Sequence, residues 1–357
     1  MSAALAEHPR AAALSAAGAE HRWPYTPVRD WLASPQAAAE AEALALPLPA
    51  HYAPAPDAAR GDWQVDAATA HVVRAEAQAD WQERQWGWTV PANTQARVVL
   101  DTRVAAGAVL DLSLRAQIGA GARLHILRLV DVAAGGHGFE TWQFEQAEDS
   151  RVDVLEYQVG AGRSHLALNS RLQGAQAEFH WQGLALLGGQ ARAVAQLRVE
   201  HLAPACRSRL ELRNVLGGRS RRSVIGNMHV ARAGQQTDSA QACHSLLLTP
   251  GARVDMRPEL EIYADDVQCA HGATSGDLDE TALHYLRSRG LDSNTARRLL
   301  LESFALPILG TADEGLQAPL RDDAGTRLAQ MGADLSAASA ARVSARGRGR
   351  DQARGRA

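Results

Sequence analysis

The chain is expected to be mainly β, a stacked-sheet core with helical ends, on three observations. Between about residue 88 and residue 270, short runs alternate apolar and polar residues: "ARVVLDTRV", "AVLDLSL", "ARLHILRLV", "SRVDVLEYQV" and "AEFHWQGLAL". Period-two alternation rich in β-branched and aromatic residues is the pattern of strands. Several runs share one corner, at Gly107-Ala108, Gly121-Ala122, Gly174-Ala175 and Gly251-Ala252. Glycine admits positive φ, and a following alanine is small enough for a tight corner. No helical segment can be placed inside this region, so its strands must stack as a sandwich, a barrel or a β-solenoid. The repeated corner favours the solenoid, in which every coil turns at an equivalent place.

The flanking zones differ in composition. Residues 1–87 are rich in Ala and Glu, with Pro-bearing breaks such as "HRWPYTP" and "LPLPAHYAPAPDAARG", and are expected to be mainly helical. Four tryptophans fall between Trp63 and Trp88, placed to pack this zone on the β-rich region C-terminal to it. The core is assigned to 88–275. From 276 to 312 the pattern becomes a helical hairpin. In "SGDLDETALHYLRSRG", Asp279 caps, Glu280 sits in the first turn, Arg287 and Arg289 in the last, and Gly290 stops the helix. A second helix restarts at Ser293 or Asn294, with Leu299, Leu300, Phe304 and, at the margin, Leu301 on an apolar side. Residues 313–357 end in "ARVSARGRGRDQARGRA" and are expected to be a disordered, solvated tail.

Composition excludes several function classes. The 357 residues include no lysine. A Schiff-base lysine and a P-loop are therefore ruled out, and any ATP hydrolysis must come from another chain. A net charge of −3 gives no strong pull toward nucleic acid or an anionic membrane. The three cysteines, Cys206, Cys243 and Cys269, form no CxxC pair, which favours a reducing compartment over a disulfide framework. "MSAALAEHPRAAALSAAGAE" lacks the apolar run of a signal peptide, so a soluble cytoplasmic protein is expected.

Two constellations offer chemistry. In "YADDVQCAHGAT", Cys269 and His271 stand two apart, so on a continuing strand they face one side. Both are good ligands for iron, zinc or copper, yet a closed tetrahedral site needs two more. The same pair also reads as a buried thiol beside a partly exposed histidine, or as nucleophile and base. The second constellation is acidic: Asp255, Glu259, Glu261, Asp265 and Asp266. Acid–base cleavage of glycans on a solenoid face would use such a cluster. Alternation of Glu259 and Glu261 with Leu260 and Ile262 instead fits a solvated outer face.

The run from Leu246 to Ala305 includes "PELEIYADDVQCAHGAT" and "LHYLRSRG", and over its whole length it resembles the C-terminal core of the SufB/SufD family of iron–sulfur cluster assembly proteins. Weaker resemblance extends through Gly226–Gln241 and to "RWPYTPVRDW". Gly272 and the cysteine-free "HYLRSRG" fit the SufD branch. The resemblance implies a right-handed parallel β-helix and a non-catalytic scaffold subunit that pairs with SufB. It implies that His271, and with less definition Cys269, serve a nascent cluster held transiently at the SufB interface. It further implies that the helices from Asp279 to Phe304 dock the SufC ATPase, with Leu283, Leu286, Arg287, Arg297, Leu300 and Phe304 as the contact residues. The chain itself binds no nucleotide in this reading, and the isolated subunit is expected to be capable of homodimerising. Neither nucleic acid nor membrane is an expected partner.

Overall fold

The structure is a computed structural model that describes residues 44, 46, 52–54, 60–65 and 70–333. Seventeen described strands wind into a parallel β-solenoid of two facing sheets. Counted along the chain, the nine odd-numbered strands form one sheet in sequence order, and the eight even-numbered strands form the other. From β4 (Trp81–Val90) to β17 (Val267–Gly276) nearly every strand is ten residues long. Each pairs in parallel with the strand one coil away, and Gln95, for example, aligns with Arg123 and then with Arg151.

The corners explain this regularity. One residue in each of many successive turns adopts positive φ: Asn93, Gly107, Gly121, Gly135, Asp149, Gln176, Ala205, Gly218 and Gln236 are examples. The next residue is often small and fully buried, as at Ala108, Ala122, Ser150, Ala177 and Cys206. The Gly-Ala corners predicted from sequence are thus part of a broader device. Gly107 and Gly121 supply the left-handed residue themselves, whereas in the turn at Gly174 it is Gln176. Gly174 is required for a different reason, since a Cβ there would overlap the backbone nitrogen of Glu148 in the preceding coil.

Between the sheets, inward side chains stack in columns. Leu114 aligns with Trp142, then Leu168 and Leu197. Trp142 lies 5.8 Å from Phe144 and 5.9 Å from Trp181, an aromatic layer filling the middle coils. The interior is not uniformly apolar. Arg128, at 1 % exposure, takes the carboxylates of Glu140 and Glu156, and Glu156 also accepts from the equally buried Arg222 at 2.8 Å. Arg222 donates further to Gln158. Two cations and two anions thus share one dry network, which satisfies the condition for burying charge.

The solenoid begins earlier than the alternation predicts. β2 (Arg60–Gln64), β3 (Ala70–Ala77) and most of β4 lie within residues 1–87, the zone expected to be mainly helical. Their inward positions include Ala75 and Ala77, whose small side chains favour helix in isolation and strand only once packed. Trp86 and Trp88 do pack the first coils into the core, and Trp63 lies 5.4 Å from Trp86. The N-terminal "RWPYTPVRDW" lies outside the described residues.

The C-terminal expectation is corrected as well. After α1 (Glu280–Ser288), α2 (Ser293–Ala305) and a 3-10 turn (Leu306–Thr311), a third helix, α3, covers 314–333, inside the segment expected to be a disordered tail. Leu316, Leu320, Ala324 and Leu328 recur at four-residue spacing and are buried against Leu127, Leu129, Leu155 and Tyr157 on the outer face of the odd sheet. Asp323 fastens α3 by accepting from the Tyr157 hydroxyl at 2.6 Å and from Arg327 at 2.8 Å. The arginine-rich composition that suggested disorder belongs to residues beyond 333, outside the described chain.

Candidate cluster-assembly and docking surface

Among the described residues, both sheets end in strands with no neighbour beyond them: β17 closes the odd sheet, β16 (Arg253–Ile262) the even one. From Ala270 to Gly276 every residue of β17 is exposed. An uncovered parallel edge offers a row of backbone donors and acceptors to another strand.

Cys269 and His271 sit on this last strand. They align with Ser239 and Gln241 of β15 (Thr237–Leu247), both buried inward residues, so the pair continues two interior columns out to the open end. The strand geometry read from the spacing holds. Cys269 is half-buried, and His271 is exposed. Burial and the neighbouring Asp238 carboxylate push the Cys269 thiol up, against a lowering hydrogen bond from the Ser239 backbone. The thiol is therefore protonated at neutral pH, and a metal must displace that proton. Among the described residues no group of three or more His, Cys, Asp or Glu side chains could hold a metal ion.

The acidic cluster is differently employed. Glu261 accepts from Asn227 at 2.7 Å and faces His229 Nδ1 at 3.3 Å, and these hydrogen bonds lower its pKa. Asn227 also reaches Glu259 at 3.3 Å. The two carboxylates belong to an outer-face polar ladder rather than flanking a cleft.

The hairpin has two unlike halves. Asp279 caps α1 through the amides of Thr281 and Ala282, and Gly290 adopts φ +93° beyond its end, as the sequence indicates. No residue of α1 is buried. Nine-residue helices are marginal in water without packing, and among the described residues the amphipathic face of α1 is left largely uncovered. Leu283 and Leu286 are half-buried and Arg287 is exposed. α2 is anchored by Ala296, Leu301 and Ala305, and by Arg213, which donates to the Phe304 carbonyl at 2.6 Å and lies over its ring. Phe304 therefore packs on the solenoid, and Leu300 and Arg297 are half-buried. The exposed apolar groups here are Tyr285 and Leu299, at 55 % and 39 %. Sequence reasoning did not single out Tyr285. It placed Leu299 with Leu300 and Phe304 on one apolar side, because the run Leu299-Leu300-Leu301 does not say which leucine faces in.

The described chain is thus an open-ended parallel β-solenoid that carries a Cys/His pair on its terminal strand. The SufBD core domain of the SUF system for FeS cluster assembly matches residues 73–304, and the chain belongs to that family. It is SufD-like. It is 29% identical over 212 residues to the iron–sulfur cluster assembly protein SufD of Escherichia coli, covering 59% of this chain and 50% of the relative. The chloroplastic protein ABCI7 of Arabidopsis thaliana is 49% identical over 84 residues, 24% of this chain and 18% of that one. A SufBD family protein of Synechocystis is 30% identical over 171 residues, 47% of this chain and 37% of the relative. The chain thus matches half or less of the length of these relatives. Its family role is in iron–sulfur cluster assembly. No described helix is long and apolar enough to cross a membrane.

Proposed function

We propose that this chain is a non-catalytic SufD subunit of a cytoplasmic cluster-assembly complex. It pairs with SufB through the open end of the solenoid and binds the SufC ATPase through α1 and α2. His271, with Cys269 beside it, contributes ligands to a nascent cluster whose remaining ligands come from SufB. The observation that carries this reading is the position of Cys269 and His271 on an exposed terminal strand whose outer edge is unpaired among the described residues, where a second solenoid can meet them. The absence of lysine supports an external ATPase, since the chain holds no P-loop.

Co-expression with SufB and SufC is expected to yield a stable complex. His271→Ala is expected to leave that complex intact and abolish cluster formation, because the side chain is exposed and its loss opens no cavity in the core. A chain that stays alone beside both partners, or normal cluster loading by His271→Ala, overturns the reading.

Docking through the hairpin makes a separate prediction. Tyr285→Asp and Leu299→Asp are expected to weaken SufC binding about tenfold or more, as loss of apolar anchors does. Thermal unfolding of the isolated chain is expected to stay unchanged, since both residues are exposed. Leu300→Asp is expected to weaken binding while also loosening α2, which circular dichroism detects. Unchanged SufC affinity in all three removes the docking assignment.

A further inference from the structure

Outward arginines of both sheets are commonly neutralised where they stand: Arg171 by Glu145 and Glu200, Arg198 by Glu200, Arg207 by Glu178 and Arg209 by Asp238. The first residues of four successive even strands break that pattern. Arg163, Arg192, Arg221 and Arg253 align in register from β10 (Arg163–Leu172) through β12 (Arg192–His201) and β14 (Arg221–Val230) to β16. Neighbours in the row stand one coil apart, about 4.8 Å. Alternation turns all four to the outer face, where Arg163 is buried, Arg192 half-buried, and Arg221 and Arg253 exposed. No carboxylate pairs with Arg192, Arg221 or Arg253 among the described residues. The adjoining outward column, His165, Val194, Ser223 and Asp255, holds Asp255 as its acid, and Asp255 makes no ion pair with Arg253. The repulsion is felt within the row, since burial and then the Arg192 charge lower the pKa of Arg163. A second basic element starts at the same corner. α3 ends at residue 333, with Met331 3.5 Å from the position a Cβ would take on Gly217, just before the exposed Arg219 and Arg221. Residues 334–357, which follow α3, contain six arginines and two aspartates.

We propose that this arginine row is a docking rail for the acidic face of an α-helix on a partner protein, with Arg192, Arg221 and Arg253 as its contacts. Three arguments select that occupant. The first is charge. Guanidinium groups held one coil apart with no counter-ion of their own gain most from carboxylates that bridge them, and the fork of a guanidinium matches a carboxylate. The arginines that follow α3 add to the same positive field and draw an acidic partner toward this corner. The second is spacing. Carboxylates recurring once per helical turn stand about 5.4 Å apart, close to the coil spacing of about 4.8 Å, so a helix lying along the solenoid axis meets the row nearly in step. Over three contacts the mismatch grows to only about 1.2 Å, within the reach of flexible arginine side chains. The third is what the row lacks. From β10 to β16 neither the row nor the adjoining column contains Trp, Tyr or Phe, so the bases of a single-stranded nucleic acid find no stacking platform there.

The test is fluorescence anisotropy of the full chain with a labelled helical peptide about five turns long, whose glutamates recur on one face. A peptide of the same composition with its glutamates spread around the helix, and a single-stranded oligothymidylate, are the comparison probes. The peptide with a single acidic face is expected to bind more tightly than either, and to weaken as salt rises. Arg192→Gln/Arg221→Gln/Arg253→Gln is expected to weaken it about tenfold or more. Thermal unfolding of that variant is expected to match the wild type or rise slightly, because like charges on the outer face have been removed. Arg198→Gln, which removes an arginine already paired with Glu200, is expected to bind as the wild type does. Absence of binding, equal binding by the triple variant, an equal loss in Arg198→Gln, or equal affinity for the peptide with dispersed glutamates overturns the proposal. Tighter binding of the oligothymidylate also overturns it, and assigns the row to a phosphate polymer instead.

Discussion

Lowering the pH from 7 to about 4.5 is expected to remove about 5 kcal/mol of folding stability through two buried histidines alone. His137 and His201 are 4 % and 0 % exposed, and each is held at about 4. Burial is the main cause for both, aided by the Arg163 charge at His137; at His201 a hydrogen bond from its Nδ1 to the His229 carbonyl opposes it. His165 is lowered by burial too. A histidine depressed in the folded state stays neutral there while the unfolded chain takes up a proton. Its contribution is therefore complete above the unfolded value near 6.5 and is lost as pH falls toward about 4. Asp153 adds a lower window. Burial raises its pKa, but hydrogen bonds from His180 and Arg151, with the charges of Arg151 and His125, outweigh this and hold it at about 2. Its contribution is present above the ordinary aspartate range and disappears as pH drops through about 2. Urea unfolding at pH 7, 6 and 5 tests this directly. His201→Gln is expected to flatten the dependence by about one proton, or about 1.4 kcal/mol per pH unit. Midpoints that do not move between pH 7 and 5 contradict the assignment.

Glu156→Leu is expected to destabilise the chain by at least about 3–5 kcal/mol, the usual cost of breaking a buried ion pair. The carboxylate sits between Arg128 and Arg222, so its removal leaves two guanidiniums in the interior with Glu140 alone to balance them. The charge-neutral double change Arg128→Met/Glu140→Leu is expected to cost less than Glu156→Leu, despite removing two side chains, because Glu156 and Arg222 remain as a pair. Thermal or urea unfolding of the two variants decides the ranking. If the double variant is the less stable, packing rather than charge balance governs this part of the core.

These interior charges mark a limit of sequence reading. In "LHILRLV" and "VDVLEYQV", Arg128 and Glu156 occupy inward positions of otherwise apolar columns. Arg128 meets Glu140, 12 residues on, across the facing sheets, and Glu156, 28 residues on, because successive coils stack in register. Alternation alone assigns no register between strands, so no local pattern announces such a pair. The docking face shows the same limit at smaller scale. The α1 caps and stop were legible because capping is a local affair of a few residues, whereas the exposure of Leu299 and burial of Leu301 depend on how α2 lies against Arg213 and the odd sheet.

What the sequence by itself determined is what short-range chemistry controls: strand alternation, recurrent corners, the α1 boundaries, and the side-by-side placement of Cys269 and His271 on one strand. The family was also legible, because the residues around that pair carry it. Tertiary structure decided the early start of the solenoid at alanine-bearing strands, the helix at 314–333, and the charged interior. It also decided that, among the described residues, β17 ends its sheet, leaving Cys269 and His271 at an open edge. The physical reason is common to all of these: whether a side chain is inside, paired or exposed depends on the coil stacked beside it, and that neighbour comes from tens of residues away.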